Sequence, residues 1–204
     1  MIWVLTGFMG CGKTTIGRLV ARMAAVSAVS QKKCPPATSP ERGELRFVDL
    51  DEEIVLREGR SIPEIFADGG EAAFRAVERT TLAGLLSEAD GNLLISLGGG
   101  TLTDPESRAL VHERCRCIYL RASVETLAAN LRWEGESASR PMLAGADPEA
   151  PAESPDSLES RIAAMMATRG PIYETAADFI LDIDTLSYEA AAEKVLYLTR
   201  RALP

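Results

Sequence analysis

The chain has 204 residues, 46% hydrophobic and 25% charged, which suits one α/β domain with a buried core. Its 22 basic and 30 acidic residues give a formal charge of −8, which argues against a general nucleic-acid-binding protein, since such proteins more often carry a basic face. The stretch from Met1 to Gly10 lacks the basic start and long apolar run of a signal peptide, and no apolar run is long enough to span a bilayer. We therefore expect a cytoplasmic protein that binds neither nucleic acid nor membrane.

The predicted elements of the first quarter alternate between strand and helix. Ile2–Leu5 is an apolar run typical of a buried strand, and apolar residues then recur at helical spacing from Ile16 to Met23. Residues 30–44 are polar and rich in proline, which predicts a surface loop without a catalytic role. Phe47–Asp51 is predicted as a second strand that ends in acidic residues.

The rest of the chain continues this alternation. Two short helices are predicted at 52–58 and 61–67, followed by a break at Gly69-Gly70 and a longer helix at 71–89. The later predicted elements are a strand at 93–97, a helix opened by Asp104 and Pro105, a strand at 117–120, a helix from Ser123 to Trp133, a helix at 157–168, a strand at 179–181 and a helix at 188–200. Strands that alternate with helices indicate a parallel sheet covered by helices on both faces.

A phosphate-binding motif follows the first strand. The segment from Gly7 to Thr14, GFMGCGKT, matches G-x-x-x-x-G-K-[ST], with a strand before it and a helix after it. Its glycines let backbone N–H groups turn toward phosphate oxygens, and the N-terminus of the following helix favours anions. Lys13 can reach the β- and γ-phosphates, and the Thr14 hydroxyl can ligate Mg²⁺. The motif predicts a nucleoside triphosphate but does not separate kinase, motor and switch proteins.

Two carboxylates stand where the second strand is predicted to end. If Asp49 and Asp51 both lie on the strand, their side chains point the same way, toward the crevice at the carboxyl edge of the sheet. There they can serve a metal ion through water and a substrate hydroxyl. The alternative is a helix N-cap pair ahead of Glu52 and Glu53, and local sequence leaves both interpretations open.

Three arginines are candidates for anion binding. Arg75, early in a helix, can clamp a carboxylate through paired N–H donors, although the local sequence by itself favours an exposed helix face. Arg140 lies in the segment 134–156, whose composition predicts a lid that orders when nucleotide and substrate bind. Arg169 follows the predicted helix 157–168, where a cation can also serve only to offset the helix dipole.

Six segments together resemble one known family. In chain order they are GFMGCGKTTIGRLVA, FVDLD, IPEIFADGGEAAFRAVE, SLGGG, RPML and RGPIYE, and they make nearly the whole chain resemble shikimate kinase. The resemblance implies an α/β P-loop kinase fold, with a five-stranded parallel sheet of order 2-3-1-4-5 flanked by helices. It also implies a single domain, 1–204, with a nucleotide loop at 7–15, substrate-binding helices near 50–89 and a lid near 134–156. The implied reaction is transfer of the γ-phosphoryl group of ATP to the 3-hydroxyl of shikimate.

The resemblance also implies a role for each site residue. The residues implied to bind the ATP phosphates are Gly10, Cys11, Gly12, Lys13, Thr14, Thr15 and the lid residue Arg140. Thr14 and Asp49 are implied to hold Mg²⁺, with help from Ser96. The implied contacts of shikimate are Asp51 with the hydroxyls, Arg75 and Arg169 with the carboxylate, and the backbone N–H of Gly99. Asp51 is also implied to accept the proton of the attacking hydroxyl.

Two other functions share part of this pattern. A gluconate-type sugar-acid kinase also needs a carboxylate clamp, but FVDLD with both arginine motifs favours shikimate. A catalytically silent nucleotide-binding regulator would be indicated by loss of Lys13, Asp51 or Arg140, and all three are present. The chain departs from the family in its longer segment before Phe47, its extended lid and its adenine contacts, for which Arg132 is the candidate. We expect a monomer.

Overall fold

The computed structural model describes residues 1–31, 45–133, 154 and 157–201. The strands in this part of the chain are β1 (Ile2–Thr6), β2 (Leu45–Asp49), β3 (Asn92–Ser96), β4 (Arg116–Arg121) and β5 (Phe179–Asp182). The helices are α1 (Lys13–Gln31), α2 (Leu50–Glu58), α3 (Ile62–Glu88), α4 (Pro105–Arg114), α5 (Val124–Trp133), α6 (Leu158–Ala176) and α7 (Tyr188–Arg201). A 3₁₀ turn at Thr101–Thr103, absent from the elements predicted from sequence, joins β3 to α4.

All strands are parallel, and their order is β2-β3-β1-β4-β5. The predicted sheet and its strand order are therefore confirmed. In the central register Val4 of β1 pairs with Ile95 of β3 on one side and with Cys117 of β4 on the other, and all three are buried. Because the strands are parallel, their carboxyl ends meet at one edge, where the ligand crevice of an open α/β sheet lies.

The second strand ends two residues earlier than predicted. The prediction that Asp51 lies on the strand, with its side chain parallel to that of Asp49, is wrong because α2 begins at Leu50. The cause is local: the Asp49 side chain accepts hydrogen bonds from the backbone N–H groups of Asp51 and Glu52 and caps the helix. The N-cap alternative is therefore the observed one for Asp49, and Asp51 sits in the first turn of α2.

Two helices differ from their predicted forms. The break at Gly70 is confirmed, with φ 68° and ψ −167°, but helical structure resumes so directly that α3 runs from Ile62 to Glu88. The helix predicted to stop at Thr168 continues through Pro171 to Ala176, so Arg169 lies inside α6 and not after it. The buried residues of α6 include both Arg169 and Tyr173, which indicates that packing against the core holds the helix across the proline.

Some of the predicted segments lie outside the described residues. These are most of the loop 30–44, from residue 32 onward, and almost all of the lid 134–156, including Arg140. Among the helices of the described ranges, none combines the length and apolar character that a membrane crossing requires.

Candidate active site

The phosphate loop joins β1 to α1 at the carboxyl edge of the sheet. Two of its glycines, Gly10 and Gly12, have φ angles of 80° and 79°, a region that other residues rarely occupy. A Cβ atom added to Gly12 would also lie 2.5 Å from the ring of Tyr188. The loop is held from α5 by Asn130, whose Nδ2 donates a 2.8 Å hydrogen bond to the Gly10 carbonyl. The backbone of the loop is therefore fixed on both sides.

Lys13 is the first residue of α1 and is buried. Its Nζ donates hydrogen bonds of 3.0 Å to the carbonyl oxygens of Gly7 and Phe8. These bonds hold the ammonium group against the carbonyl oxygens of the phosphate loop. The position fits a lysine that offsets the charge of β- and γ-phosphates.

Thr14 and Asp49 form the part of the site that suits a metal ion. Thr14 Oγ1 donates a 2.5 Å hydrogen bond to Asp49 Oδ2, and Asp49 pairs in register with Ser96 at the end of β3. Hydroxyl and carboxylate oxygens are the ligands that Mg²⁺ prefers, so these residues fit the metal that the sequence implied. In the described ranges no group of three or more His, Cys, Asp or Glu side chains could hold a metal ion.

The glycine loop, Gly98–Gly100, follows β3 and brings two acidic side chains and a cation together. A Cβ atom added to Gly98 would lie 2.7 Å from Glu78 Oε1 and 3.1 Å from Asp51 Oδ1. One added to Gly100 would lie 2.2 Å from Arg75 Nη2. The structure thus places Asp51 and Arg75, which are far apart in sequence, against the same short loop. At positions 98 and 100 only glycine leaves room for these charged groups.

Arg75 is tied down by two carboxylates of its own helix. Its Nη1 lies 2.6 Å from Glu78 Oε2 and its Nη2 lies 3.2 Å from Glu71 Oε1. Burial disfavours the charge of Arg75, but Glu78 and Glu71 outweigh that effect and raise the pKa of Arg75. The exposed-face alternative for Arg75 is wrong, since its side chain is only 15% exposed. Its buried Nε has no hydrogen-bond partner in the described structure.

Glu78 belongs to this cluster but was not among the residues predicted from the sequence. Its side chain is 1% exposed, and its second oxygen, Oε1, accepts a 2.6 Å hydrogen bond from Thr101 Oγ1. Both oxygens are therefore occupied, one by Arg75 and one by Thr101. The signal that could have revealed this was the i, i+3 spacing of Arg75 and Glu78 on a helix with an apolar inner face.

Arg169 approaches the same loops from α6. It is 7% exposed, and its guanidinium carbon lies 5.9 Å from the centroid of the Phe8 ring in the phosphate loop. One helical turn later the Tyr173 hydroxyl donates a hydrogen bond to the Gly99 carbonyl. A buried guanidinium next to the site argues against a role limited to the helix dipole.

A cavity of about 400 Å³ opens at this edge of the sheet. Its lining includes the predicted residues Gly10, Gly12, Lys13, Thr14, Thr15, Asp49, Asp51, Ser96 and Gly99. Arg75 and Arg169 do not line it, because Arg75 lies against Gly100 and Arg169 against Phe8. Cys11, a residue of the phosphate loop, is fully buried and does not line the cavity. The cavity therefore joins the nucleotide residues to Asp51, and the two arginines lie outside its lining.

Arg132, the candidate for adenine stacking, forms an ion pair. Its Nη1 and Nη2 lie 2.6 Å and 2.9 Å from the two carboxylate oxygens of Glu159, which joins the end of α5 to the start of α6. This bidentate contact lowers the pKa of Glu159 below its usual range. An adenine that stacks on Arg132 must therefore accommodate Glu159 as its neighbour.

Comparison with known proteins gives one consistent family. The family model described as shikimate kinase matches residues 40–199. A shikimate kinase of Xanthomonas oryzae pv. oryzae is 39% identical over 196 residues, which cover 96% of this chain and 90% of the relative. One of Chlorobium chlorochromatii is 36% identical over 197 residues, with coverage of 97% and 88%.

Solved structures agree with the sequence comparison. The shikimate kinase of Acinetobacter baumannii, solved in complex with shikimate, superposes with a TM-score of 0.73 at 25% identity, covering 100% of this chain and 95% of that one. The enzyme of Bacteroides thetaiotaomicron superposes with a TM-score of 0.74 at 26% identity, covering 98% of both chains.

Proposed function

The chain belongs to the shikimate kinase family and is an ATP-dependent kinase that acts on shikimate, and we propose that the residues described above carry out the transfer of the γ-phosphoryl group to the 3-hydroxyl of shikimate. One observation supports this assignment above the others. The three-glycine loop touches the nucleotide side, where a Cβ atom on Gly99 would lie 3.2 Å from Met9 N, and also touches Asp51 and Arg75 on the other side. A phosphoryl donor and its acceptor can therefore meet across one short loop.

The nucleotide side neutralises charge and aligns the phosphates. Backbone N–H groups from Gly10 to Thr15 bind phosphate oxygens, and Lys13 offsets the charge that develops on the transferred group. Thr14 and Asp49 would hold Mg²⁺, which when bound would supply positive charge that offsets the charge of the phosphates. Arg140 is proposed as a further cation on the strength of the family resemblance alone.

The substrate side orients the acceptor. Arg75 and Arg169 bind the shikimate carboxylate, whose charge and planar shape suit guanidinium groups. Asp51 accepts a hydrogen bond from the 3-hydroxyl and takes its proton as the hydroxyl oxygen attacks. The new bond joins that oxygen to the γ-phosphorus, while the bond from the γ-phosphorus to the bridging oxygen of ADP breaks. Positioning of both reactants accounts for much of the expected rate.

The cellular setting remains a proposal as well. We propose that the enzyme acts in the cytoplasm as a monomer, without nucleic-acid or membrane partners, on the sequence features that led to that expectation. Its small-molecule partner is shikimate.

A coupled assay of ADP release tests the proposed function. With ATP and Mg²⁺, shikimate should support turnover at a rate at least about a hundredfold above gluconate, because the buried polar groups of the site stay unpaired with the wrong acceptor. A reaction without any acceptor measures background hydrolysis of ATP. Equal rates with shikimate and gluconate, or ADP release independent of an acceptor, would contradict the proposal.

A further inference from the structure

Tyr173 lies fully buried in α6, one turn after Arg169. Its hydroxyl donates a hydrogen bond to the Gly99 carbonyl, 74 positions earlier in the chain. Its ring packs against Tyr119 of β4, with 5.3 Å between the ring centroids. A phenylalanine would fill nearly the same space, so the hydroxyl has a function that packing alone does not explain.

The Tyr173 hydroxyl stays protonated and has one proton to donate. Burial raises the pKa of Tyr173, and the charge of the neighbouring Arg169 acts in the opposite direction without cancelling that rise. Because the single O–H is directed to the Gly99 carbonyl, the lone pairs of the oxygen are left to accept from the neighbouring Arg169. The hydroxyl is therefore placed between the glycine loop and the guanidinium group.

Holding the Gly99 carbonyl has a consequence for the next residue. A peptide unit is planar and trans, so a fixed Gly99 carbonyl also fixes the Gly100 N–H that shares its plane. Gly100 is the residue against which the Arg75 guanidinium lies, close enough that an added Cβ atom would stand 2.2 Å from Nη2. The same hydrogen bond thus restrains the surface on which the second arginine rests.

We propose that Tyr173 is a positioning residue for the substrate carboxylate, an inference that rests on the proposed function. Its hydroxyl holds the Gly99–Gly100 peptide and Arg169 in one fixed arrangement. It acts through Gly100 on Arg75 and directly on Arg169, and it does not contact the phosphoryl group. Two guanidinium groups from different helices can share one carboxylate only when their separation is set, and Tyr173 connects α6 to the loop that backs α3. The proposal concerns affinity for the acceptor and leaves the nucleotide side unchanged.

The test compares Tyr173→Phe with Tyr119→Phe, since both remove one phenolic hydroxyl from the same ring cluster. For Tyr173→Phe the KM for shikimate should rise about 5-fold, the loss expected for a hydrogen bond to a well-placed backbone group. The KM for ATP should stay within about 2-fold of the wild-type value, because the phosphate loop keeps its other contacts. Tyr119→Phe should change neither KM, and thermal unfolding of both variants separates a positioning effect from a loss of stability.

A second acceptor sharpens the readout. The methyl ester of shikimate has no carboxylate charge for the arginines to bind. The rise in KM caused by Tyr173→Phe should therefore be smaller with the ester than with shikimate. If Tyr173→Phe fails to fold, 4-fluorophenylalanine at position 173 replaces it, since this residue keeps a para substituent but cannot donate a proton.

The outcomes separate this inference from the proposed function. Wild-type enzyme that does not phosphorylate shikimate would overturn the proposed function itself. Wild-type turnover of shikimate with unchanged KM values in Tyr173→Phe would overturn only the positioning role. Equal increases in both KM values, or equal penalties with shikimate and its ester, would show that Tyr173 supports the fold and not the carboxylate site.

Discussion

Thr14 Oγ1 donates a 2.5 Å hydrogen bond to Asp49 Oδ2, while Asp49 Oδ1 accepts from the backbone N–H of Asp51 at 3.0 Å. One carboxylate thus joins the first turn of α1 to the first turn of α2, the helix that carries Asp51. The proposed metal ligand is therefore also the cap of the helix that presents the proposed acid–base residue.

Substitutions of Asp49 should separate these two roles. Asparagine is as good an N-cap as aspartate but lacks the charge, whereas alanine loses both functions. Asp49→Asn should lower kcat and raise the Mg²⁺ concentration needed for half-maximal turnover, with little change in stability. Asp49→Ala should show the same kinetic loss and also lower the free energy of unfolding by about 1 kcal/mol. An Asp49→Asn enzyme with a wild-type Mg²⁺ dependence would remove Asp49 from the metal site.

Lys13→Met should preserve the fold and lower turnover to about one hundredth or less, because the transferring phosphoryl group loses a preorganised cation. The measurement is ADP release with shikimate, together with circular dichroism to confirm the fold. Lys194→Met, which changes an exposed lysine of α7, is the matched control and should turn over normally. Near-normal activity in Lys13→Met would remove this lysine from the mechanism.

Gly100→Ala should raise the KM for shikimate and leave the KM for ATP unchanged. The added Cβ atom would meet the Arg75 guanidinium at 2.2 Å, so the arginine must move away from its present position. We expect the KM for shikimate to rise about tenfold, which corresponds to about 1.4 kcal/mol, with an unchanged KM for ATP. Gly91→Ala is the control, since nothing lies within 4 Å of its added Cβ atom. Equal kinetics in the two variants would contradict the placement of Arg75.

The cap of α4 gives a stability prediction with a defined pH dependence. Burial alone would raise the pKa of Asp104, but hydrogen bonds from Ser107 and the charge of Arg79 outweigh it and lower the pKa below the ordinary 3.8. Asp104→Ala should therefore lower the free energy of unfolding by about 1 kcal/mol at neutral pH.

A lowered pKa in the folded state means that this stabilisation is complete above pH 3.8 and disappears as the pH falls through the lower, folded value. Denaturant unfolding at several pH values measures the difference. Asp90→Ala, at an exposed position, is the control. A difference between Asp104→Ala and wild type that grows as the pH falls would refute this assignment.

The strands of the sheet were predicted well from the sequence because the signals for each strand are local. Short apolar runs ended by glycine or acids identified the strands, and the phosphate motif and the family segments supplied their order. The error at Asp51 arose because a strand end and a helix N-cap use the same residue types, and only the hydrogen bonds of Asp49 decide between them. The continuation of α6 through Pro171 also depends on burial, which local propensity does not express.

The site was predicted less completely, because some of its contacts join residues that local pattern cannot connect. The motifs supplied Lys13, Thr14 and Arg75, but Glu78 and Tyr173 became visible only once α3 and α6 were packed against the glycine loop. The role of Arg140 stays a prediction from sequence, since the residue lies outside the described ranges.

Arg75→Lys separates the shikimate site from the nucleotide site most sharply, because lysine keeps the positive charge but lacks the paired N–H donors of arginine. We expect kcat/KM for shikimate to fall by an amount worth about 1–3 kcal/mol of transition-state stabilisation, while ATP binding, measured separately, hardly changes. Arg79→Lys, one turn further along α3 and paired with Asp104, should retain wild-type kinetics. A fall in ATP affinity with persistent shikimate use would assign Arg75 to the nucleotide site and contradict its proposed role in binding the shikimate carboxylate.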